Sequence, residues 1–175
     1  MNNKLKEKQL LLKIRLLVAF FMVALIGSGL TAFPLETELE IICQILGIST
    51  GHPASSYTGL QGWMAEIYEG VVYTKANYPF LLYGTDWLAF AHIMIAIAFV
   101  GLYRQPIRNQ WIIHWAMIMC ICVIPAALIC GAVRNIPFYW QLIDCSFGIF
   151  GFIPLYILHK LVKDLKAITP EYHPD

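Results

Sequence analysis

The sequence predicts an all-α membrane protein, with four transmembrane helices in a compact bundle and two short amphipathic helices between the first and second spans. Of its 175 residues, 59% are hydrophobic and only 13% are charged. The mean hydropathy is +0.65, so the chain is more apolar and less charged than an ordinary soluble domain. Four apolar runs also reach the roughly 20 residues that a helix needs to cross a bilayer.

The four predicted spans cover about residues 16–33, 84–103, 111–133 and 138–161. Only the polar stretch 104–110 separates the second run from the third. A connection this short makes those two helices antiparallel neighbours. Residues 1–175 are therefore predicted to form a single polytopic membrane domain.

Lysine and arginine are distributed unevenly around the spans, and this predicts the orientation of the chain. Three basic clusters fall on the same side: Lys4, Lys6, Lys8, Lys13 and Arg15; Arg104 and Arg108; Lys160, Lys163 and Lys166. The other side carries only Lys75 and Arg134, together with five glutamates. Because basic loops stay in the cytoplasm, we expect a multi-pass protein of the bacterial cytoplasmic (inner) membrane with both termini cytoplasmic.

The first apolar run has two interpretations, an uncleaved helix or a cleaved signal peptide. The run is longer than a typical signal core, and no clear small-x-small cleavage site precedes Pro34. An uncleaved first helix is therefore the interpretation that we adopt.

The loop of residues 34–83 is too long for an unstructured connector in a compact protein. Two groups of apolar residues recur at helical spacing: Leu35, Leu39, Ile42, Cys43 and Leu46, then Leu60, Trp63, Met64, Ile67 and Val71. The intervening stretch, 47–56, has the composition of a turn. We therefore expect an outer lid of two amphipathic helices, whose acidic polar faces favour packing on the bundle or on a partner subunit over binding anionic lipid.

Four ionisable residues lie in or beside the apolar runs: Asp86, His92, Arg134 and Asp144. Such residues are costly at membrane depth and are usually paired or functional. Arg134 continues a small-residue stripe on the third helix, and Asp144 shares an arc with Gly148 and Gly151 on the fourth. Small-residue stripes mark helix–helix contacts in membranes, so we expect the four to converge on one polar pocket in the outer leaflet.

Each of these residues also has a structural explanation. Arg134 with Asp144 or Asp86 would form a buried ion pair that fixes the register of the helices. Asp86 would stabilise a helix start if the helix begins close to it, but not if the helix begins at Pro79. His92 would be a hydrogen-bonded core histidine.

Two functions therefore stay open. In the first, the four residues bind a lipid-like or quinone-like ligand, with Arg134 holding an anionic or carbonyl group and the carboxylates and imidazole available for acid–base steps. In the second, the protein is an accessory or assembly subunit of a larger membrane complex, and the cluster is a structural lock. The sequence does not decide whether the protein is an enzyme, and no catalytic residue is assigned.

No cofactor or metal site is predicted, although His114 and His159 share a depth on the last two helices and make a haem site an alternative. Cys120 and Cys122 form a C-x-C pair within a helix, which differs from the C-x-x-C of thiol oxidoreductases. A disulfide from Cys43 to Cys130 or Cys145 stays open. Glycine-rich phosphate loops are absent, so nucleotide chemistry of the soluble type is not expected, and no nucleic-acid partner is predicted. The topology resembles that of the sterol isomerase and sigma-2 receptor superfamily, from which no functional residue is carried over.

Overall fold

The structure is a computed structural model that describes residues 2–169. Within this range the chain is 86% helix and contains no strand, which confirms the all-α class. The α-helices are α1 (Asn2–Ala32), α2 (Leu35–Ile45), α3 (Gly59–Asn77), α4 (Tyr83–Arg104), α5 (Gln110–Val133) and α6 (Phe138–Ile168). Two short 3-10 turns, Ala54–Ser56 and Pro79–Leu82, precede α3 and α4.

Four helical segments are long and apolar enough to cross a membrane: Lys4–Ala32, Pro79–Arg104, Gln110–Val133 and Phe138–Ile168. The prediction of four helices that are long and apolar enough to span a membrane is therefore confirmed, as expected for a multi-pass membrane protein. The helices α1 and α6 extend beyond the apolar runs, because the flanking leucines and lysines are themselves good helix formers. Both α5 and α6 continue through their internal prolines, Pro125 and Pro154.

The chain forms two compact units, whose boundaries fall inside α1 and α4. We call Met1–Met22 with Ile97–Asp175 the terminal unit, and Val23–Ala96 the central unit.

The core of the terminal unit is built on one face of α6, where residues at helical spacing are almost completely buried. This core comprises Leu155, Leu158, Val162 and Leu165 of α6, Ile14 and Val18 of α1, Phe99 and Leu102 of α4, and Ile112 and Ile113 of α5. The ring of Phe99 also stacks on that of Phe21, with 5.8 Å between centroids.

Glycines allow α5 and α6 to approach closely in the same unit. Gly148 is buried against the backbone of α5, where an added Cβ would overlap the carbonyl oxygen of Cys120. Gly131 is buried against the side chain of Gln141. Close backbone approach at small residues is the usual way in which membrane helices pack.

The central unit contains the segment between the first two spans, where α2 packs on α3. Leu39 and Cys43 of α2 are buried, as are Met64 and Ala65 of α3. Helix α2 ends in a Schellman motif, in which Gly47 has a φ of +72° and the N–H of Ile48 donates to the carbonyl of Cys43 at 2.8 Å.

Side chains fasten the turn between α2 and α3. The backbone N–H of Ala54 donates to Glu69 at 2.7 Å, and that of Ser49 donates to the Tyr57 hydroxyl at 2.8 Å. The Gln61 amide donates to the carbonyl of Leu46, also at 2.8 Å. This segment is therefore an ordered helical hairpin.

Candidate functional site

The four candidate residues are divided between the two units. Asp86 and His92 belong to the central unit, whereas Arg134 and Asp144 belong to the terminal unit. We describe each pair within its own unit, and the convergence of all four on one pocket stays a prediction.

Asp86 lies in the first turn of α4. Residues Pro79–Leu82 form a 3-10 turn, and the α-helix itself begins only at Tyr83. A carboxylate in this position interacts favourably with the positive end of the helix dipole. This position provides a local electrostatic explanation for Asp86.

Asp86 also lines a cavity of about 170 Å³, which we call the Lys75 cleft. Its walls come from the end of α1, from α2, α3 and the start of α4, and comprise Phe33, Pro34, Leu35, Glu36, Thr37, Val71, Lys75, Leu82, Thr85 and Asp86. Inside the cleft the Lys75 ammonium forms an ion pair with Glu36. The cleft therefore combines one cation and two carboxylates with an apolar wall.

The Lys75–Glu36 pair is open to exchange because both partners reach solvent. The side chain of Lys75 is 61% exposed and that of Glu36 is 32% exposed. Exposed ion pairs contribute only about 0–1 kcal/mol, so a ligand with an anionic or carbonyl group could displace Glu36 from Lys75 at little cost.

Sequence reasoning did not include Lys75 and Glu36 among the site residues. The signal was present, since Lys75 is the one lysine among five glutamates between the first two spans. What it could not show was that α2 and α3 fold back to bring residues 36 and 75 together at the start of α4.

His92 is half-buried and does not line the cleft. Its Nδ1–H donates to the carbonyl of Leu88, one turn earlier, at 2.8 Å. His92 follows Asp86 by six residues, which places it about 9 Å further along the helix and on a different face. Its backbone hydrogen bond agrees with the structural explanation.

Arg134 is exposed and forms the C-cap of α5. The helix ends in a second Schellman motif, with Asn135 at a φ of +54° and the N–H of Ile136 donating to the Gly131 carbonyl at 2.9 Å. A guanidinium here complements the negative end of the helix dipole.

Arg134 and Asp144 do not form the ion pair that the sequence suggested as a structural alternative. Across the described part of the terminal unit, no acidic and basic side chains approach within 4.0 Å. Asp144 is half-buried in α6.

The buried polar residue at this end of α6 is Gln141, which sequence reasoning missed. Its Nε2 donates to the carbonyl of Ile136 at 2.8 Å, and its stem fills the space beside Gly131. Gln141 therefore closes the turn between α5 and α6. The sequence feature that could have revealed Gln141 is its position as a lone amide early in a long apolar helix.

The histidines His114 and His159 contact each other directly. Nε2 of His114 lies 3.1 Å from Nδ1 of His159, and the ring centroids are 5.0 Å apart. A haem iron would separate two axial nitrogens by about 4 Å, given metal–nitrogen bonds of about 2 Å, and would need a porphyrin plane between the rings. The haem alternative at these two residues does not fit this geometry.

No known protein family, curated protein or solved structure matches the chain.

All five cysteines are free thiols, so the disulfide left open for Cys43 is not formed. Cys43 is completely buried between α2 and α3, and this burial raises the pKa of its thiol. The pKa of Tyr68 is raised as well, first by burial and then by the charges of Glu40 and Glu36 and by Cys43.

These two raised pKa values predict that the central unit loses stability at alkaline pH. The unfolded chain deprotonates more readily than the folded chain, so each group stabilises the fold below its unfolded pKa and loses that contribution as pH rises. The loss should begin near pH 8.5 for the thiol and near pH 10 for the phenol, roughly their unfolded pKa values.

Denaturant midpoints measured across this pH range will test the prediction. A Cys43→Ala variant should lack the loss of stability that begins at about pH 8.5 and keep the one at about pH 10. A Tyr68→Phe variant should keep the loss at about pH 8.5 and lack the one at about pH 10. Identical pH profiles for the wild type and both variants would contradict it.

Proposed function

We propose that the protein binds an amphiphilic ligand, lipid-like or quinone-like, with its polar head in the Lys75 cleft and its apolar tail along the spans. The observation that carries this proposal is the cleft itself, which places Lys75, Glu36 and Asp86 beside the apolar side chains of Phe33 and Leu82. Ligand pockets combine an apolar lining with a few convergent polar groups in this way.

Within this proposal, Lys75 is the residue that holds the ligand. Its ammonium exchanges Glu36 for an anionic or carbonyl oxygen of the head group, forming a charge-assisted hydrogen bond. Asp86 accepts from a hydroxyl of the same head group. Val71 and Leu82 exclude water on the apolar side of the cleft.

The proposal also includes the position of the cleft relative to the membrane. The basic clusters predict that the cleft faces away from the cytoplasm, in the outer leaflet of a bacterial inner membrane, with α2 and α3 as a lid on a compact bundle. His92, Arg134 and Asp144 stay ligand-binding candidates that were predicted from the sequence.

Binding of defined probes to the detergent-purified protein tests the cleft. We will use a benzoquinone with a ten-carbon tail and a short-chain phosphatidylglycerol, which represent the two ligand classes. Lys75→Gln should weaken binding of the preferred probe several-fold, since an exposed charge pair contributes up to about 1 kcal/mol. Asp86→Asn should weaken it less.

Glu66→Gln is the matched control, because Glu66 is an exposed carboxylate of α3 that does not line the cleft. It should bind the probe like the wild type. If Lys75→Gln and Asp86→Asn, both folded, also bind like the wild type, the proposed function fails. An effect of Asp144→Asn on binding would support Asp144 as a ligand-binding residue, as predicted from the sequence.

A second candidate function is that of an accessory or assembly subunit. The observation in its favour is an apolar face on α2, where Ile41 is 52% exposed and Ile45 is 78% exposed. Both residues lie opposite the buried Leu39 and Cys43, outside the candidate spans. A partner retained at fixed stoichiometry by the wild type and released by Ile45→Glu would favour this role.

A further inference from the structure

Three polar side chains from α5 and α6 converge on one point in the terminal unit. His159 Nδ1 lies 3.1 Å from Nε2 of His114 and 3.4 Å from Nε2 of Gln110. His114 is exposed and His159 is half-buried, so the point is open on one side. Two of the three residues lie on adjacent turns at the start of α5, and His159 faces them from α6.

A single hydrogen bond does not account for both nitrogens that approach His159 Nδ1. A neutral imidazole nitrogen carries either one hydrogen or one lone pair. His159 Nδ1 can therefore form one good hydrogen bond, yet two nitrogens approach it. A cation placed among the three side chains would use the lone pairs of both imidazoles at once.

We propose that His114 Nε2, His159 Nδ1 and the side-chain amide oxygen of Gln110 bind a divalent transition-metal ion, with zinc as the representative. Two nitrogens bound to one ion by bonds of about 2.0–2.1 Å, at angles between 90° and tetrahedral, lie about 2.9–3.4 Å apart. The observed separation of 3.1 Å falls inside this window. Water fills the remaining positions on the exposed side.

Gln110 can supply the third ligand because a half-turn of its terminal amide exchanges nitrogen for oxygen without changing the shape of the side chain. The described residues contain no cluster of three histidine, cysteine or acidic side chains, so an amide is the third donor available here. Imidazole with an oxygen donor suits zinc, copper and nickel.

Nearby cations do not block the site. Lys160 follows His159 directly, but its ammonium lies over the Tyr156 ring, 4.7 Å from the centroid. Lys163, one turn beyond His159, is exposed and acts on His159 through its charge, but its flexible stem can carry that charge into water when an ion binds. An ion bound here would join α5 to α6 next to the buried pair Ile113 and Leu158.

Zinc binding to the purified full-length protein tests the proposal. After removal of bound metal with a chelator, we will titrate zinc by calorimetry and record the electron paramagnetic resonance of added copper(II). We expect one site per chain, with nitrogen couplings on copper. His114→Ala and His159→Ala should each weaken zinc binding by at least about tenfold, since even residues that only support a ligand contribute this much.

His52→Ala is the matched control, because His52 is an exposed histidine in the central unit. It should leave the affinity unchanged. His114→Gln and His159→Gln keep a polar side chain at each position and are therefore less disruptive than alanine. Gel filtration and circular dichroism will show whether each variant is folded. Gln110→Glu adds a charged ligand and should tighten binding, whereas Gln110→Leu should weaken it.

The proposal is overturned if the wild type binds no zinc, or if the folded double variant His114→Gln/His159→Gln binds it as well as the wild type. An unchanged affinity in both Gln110 variants would overturn the three-ligand site. These results do not depend on the Lys75 cleft, whose residues lie in the other unit.

Discussion

Replacing Gly148 by alanine is expected to destabilise the packing of α5 on α6 more than any other single methyl group added to α6. The added Cβ would overlap the carbonyl oxygen of Cys120, a backbone atom that cannot rotate away. Overpacking costs about 1–3 kcal/mol where side chains can adjust, and we expect the upper end of this range here. The cost outweighs the gain of up to about 1 kcal/mol that alanine brings to a helix over glycine.

Gly151→Ala is the graded control for this change, because it adds the same methyl group to the same helix. Its Cβ would lie 3.0 Å from the Sγ of Cys120, a side-chain atom that can shift. Unfolding in mixed detergent micelles, followed by circular dichroism, should give a clearly lower midpoint for Gly148→Ala than for Gly151→Ala. Equal midpoints would show that the backbones do not approach as closely as described.

Residues on the fourth span show how much of the packing the sequence could predict. The arc of Asp144, Gly148 and Gly151 was predicted to face neighbouring helices, and Gly148 is indeed buried, while Asp144 and Gly151 are half-buried. The stripe on α5 was less informative, because Cys130 and Arg134 at its end are exposed while Gly131 is buried. Periodicity gives the direction of a helix face only to within one residue on either side. The contact of α5 with α6 in the structure is made at Gly131, against the side chain of Gln141.

The charged residues show what the sequence left undecided. The structural explanation of Asp86 depended on where its helix begins, and Pro79 is also a favourable first residue. The 3-10 turn at Pro79–Leu82 moves the α-helix start to Tyr83, and Asp86 then complements the helix dipole, as Arg134 does at the end of α5. The Lys75 cleft could not be predicted at all, since it depends on the tertiary packing of α2 and α3.

Glycines on the first span provide a test in which two neighbouring positions should respond in opposite directions. A Cβ on Gly29 would lie 2.8 Å from the carbonyl oxygen of Ala89 and 3.2 Å from the Cβ of His92. Among the described residues, nothing lies within 4 Å of a Cβ on Gly27. The close approach of α1 to α4 is therefore at Gly29 and not at Gly27.

We expect Gly29→Ala to destabilise the central unit by about 1–3 kcal/mol and Gly27→Ala to be neutral or stabilising by up to about 1 kcal/mol. The same unfolding measurement compares the two variants. Because α4 must move to admit the new methyl group, Gly29→Ala should also displace His92, which the chemical shift of its ring would report. If both variants behave like the wild type, α1 and α4 are not in backbone contact at this point.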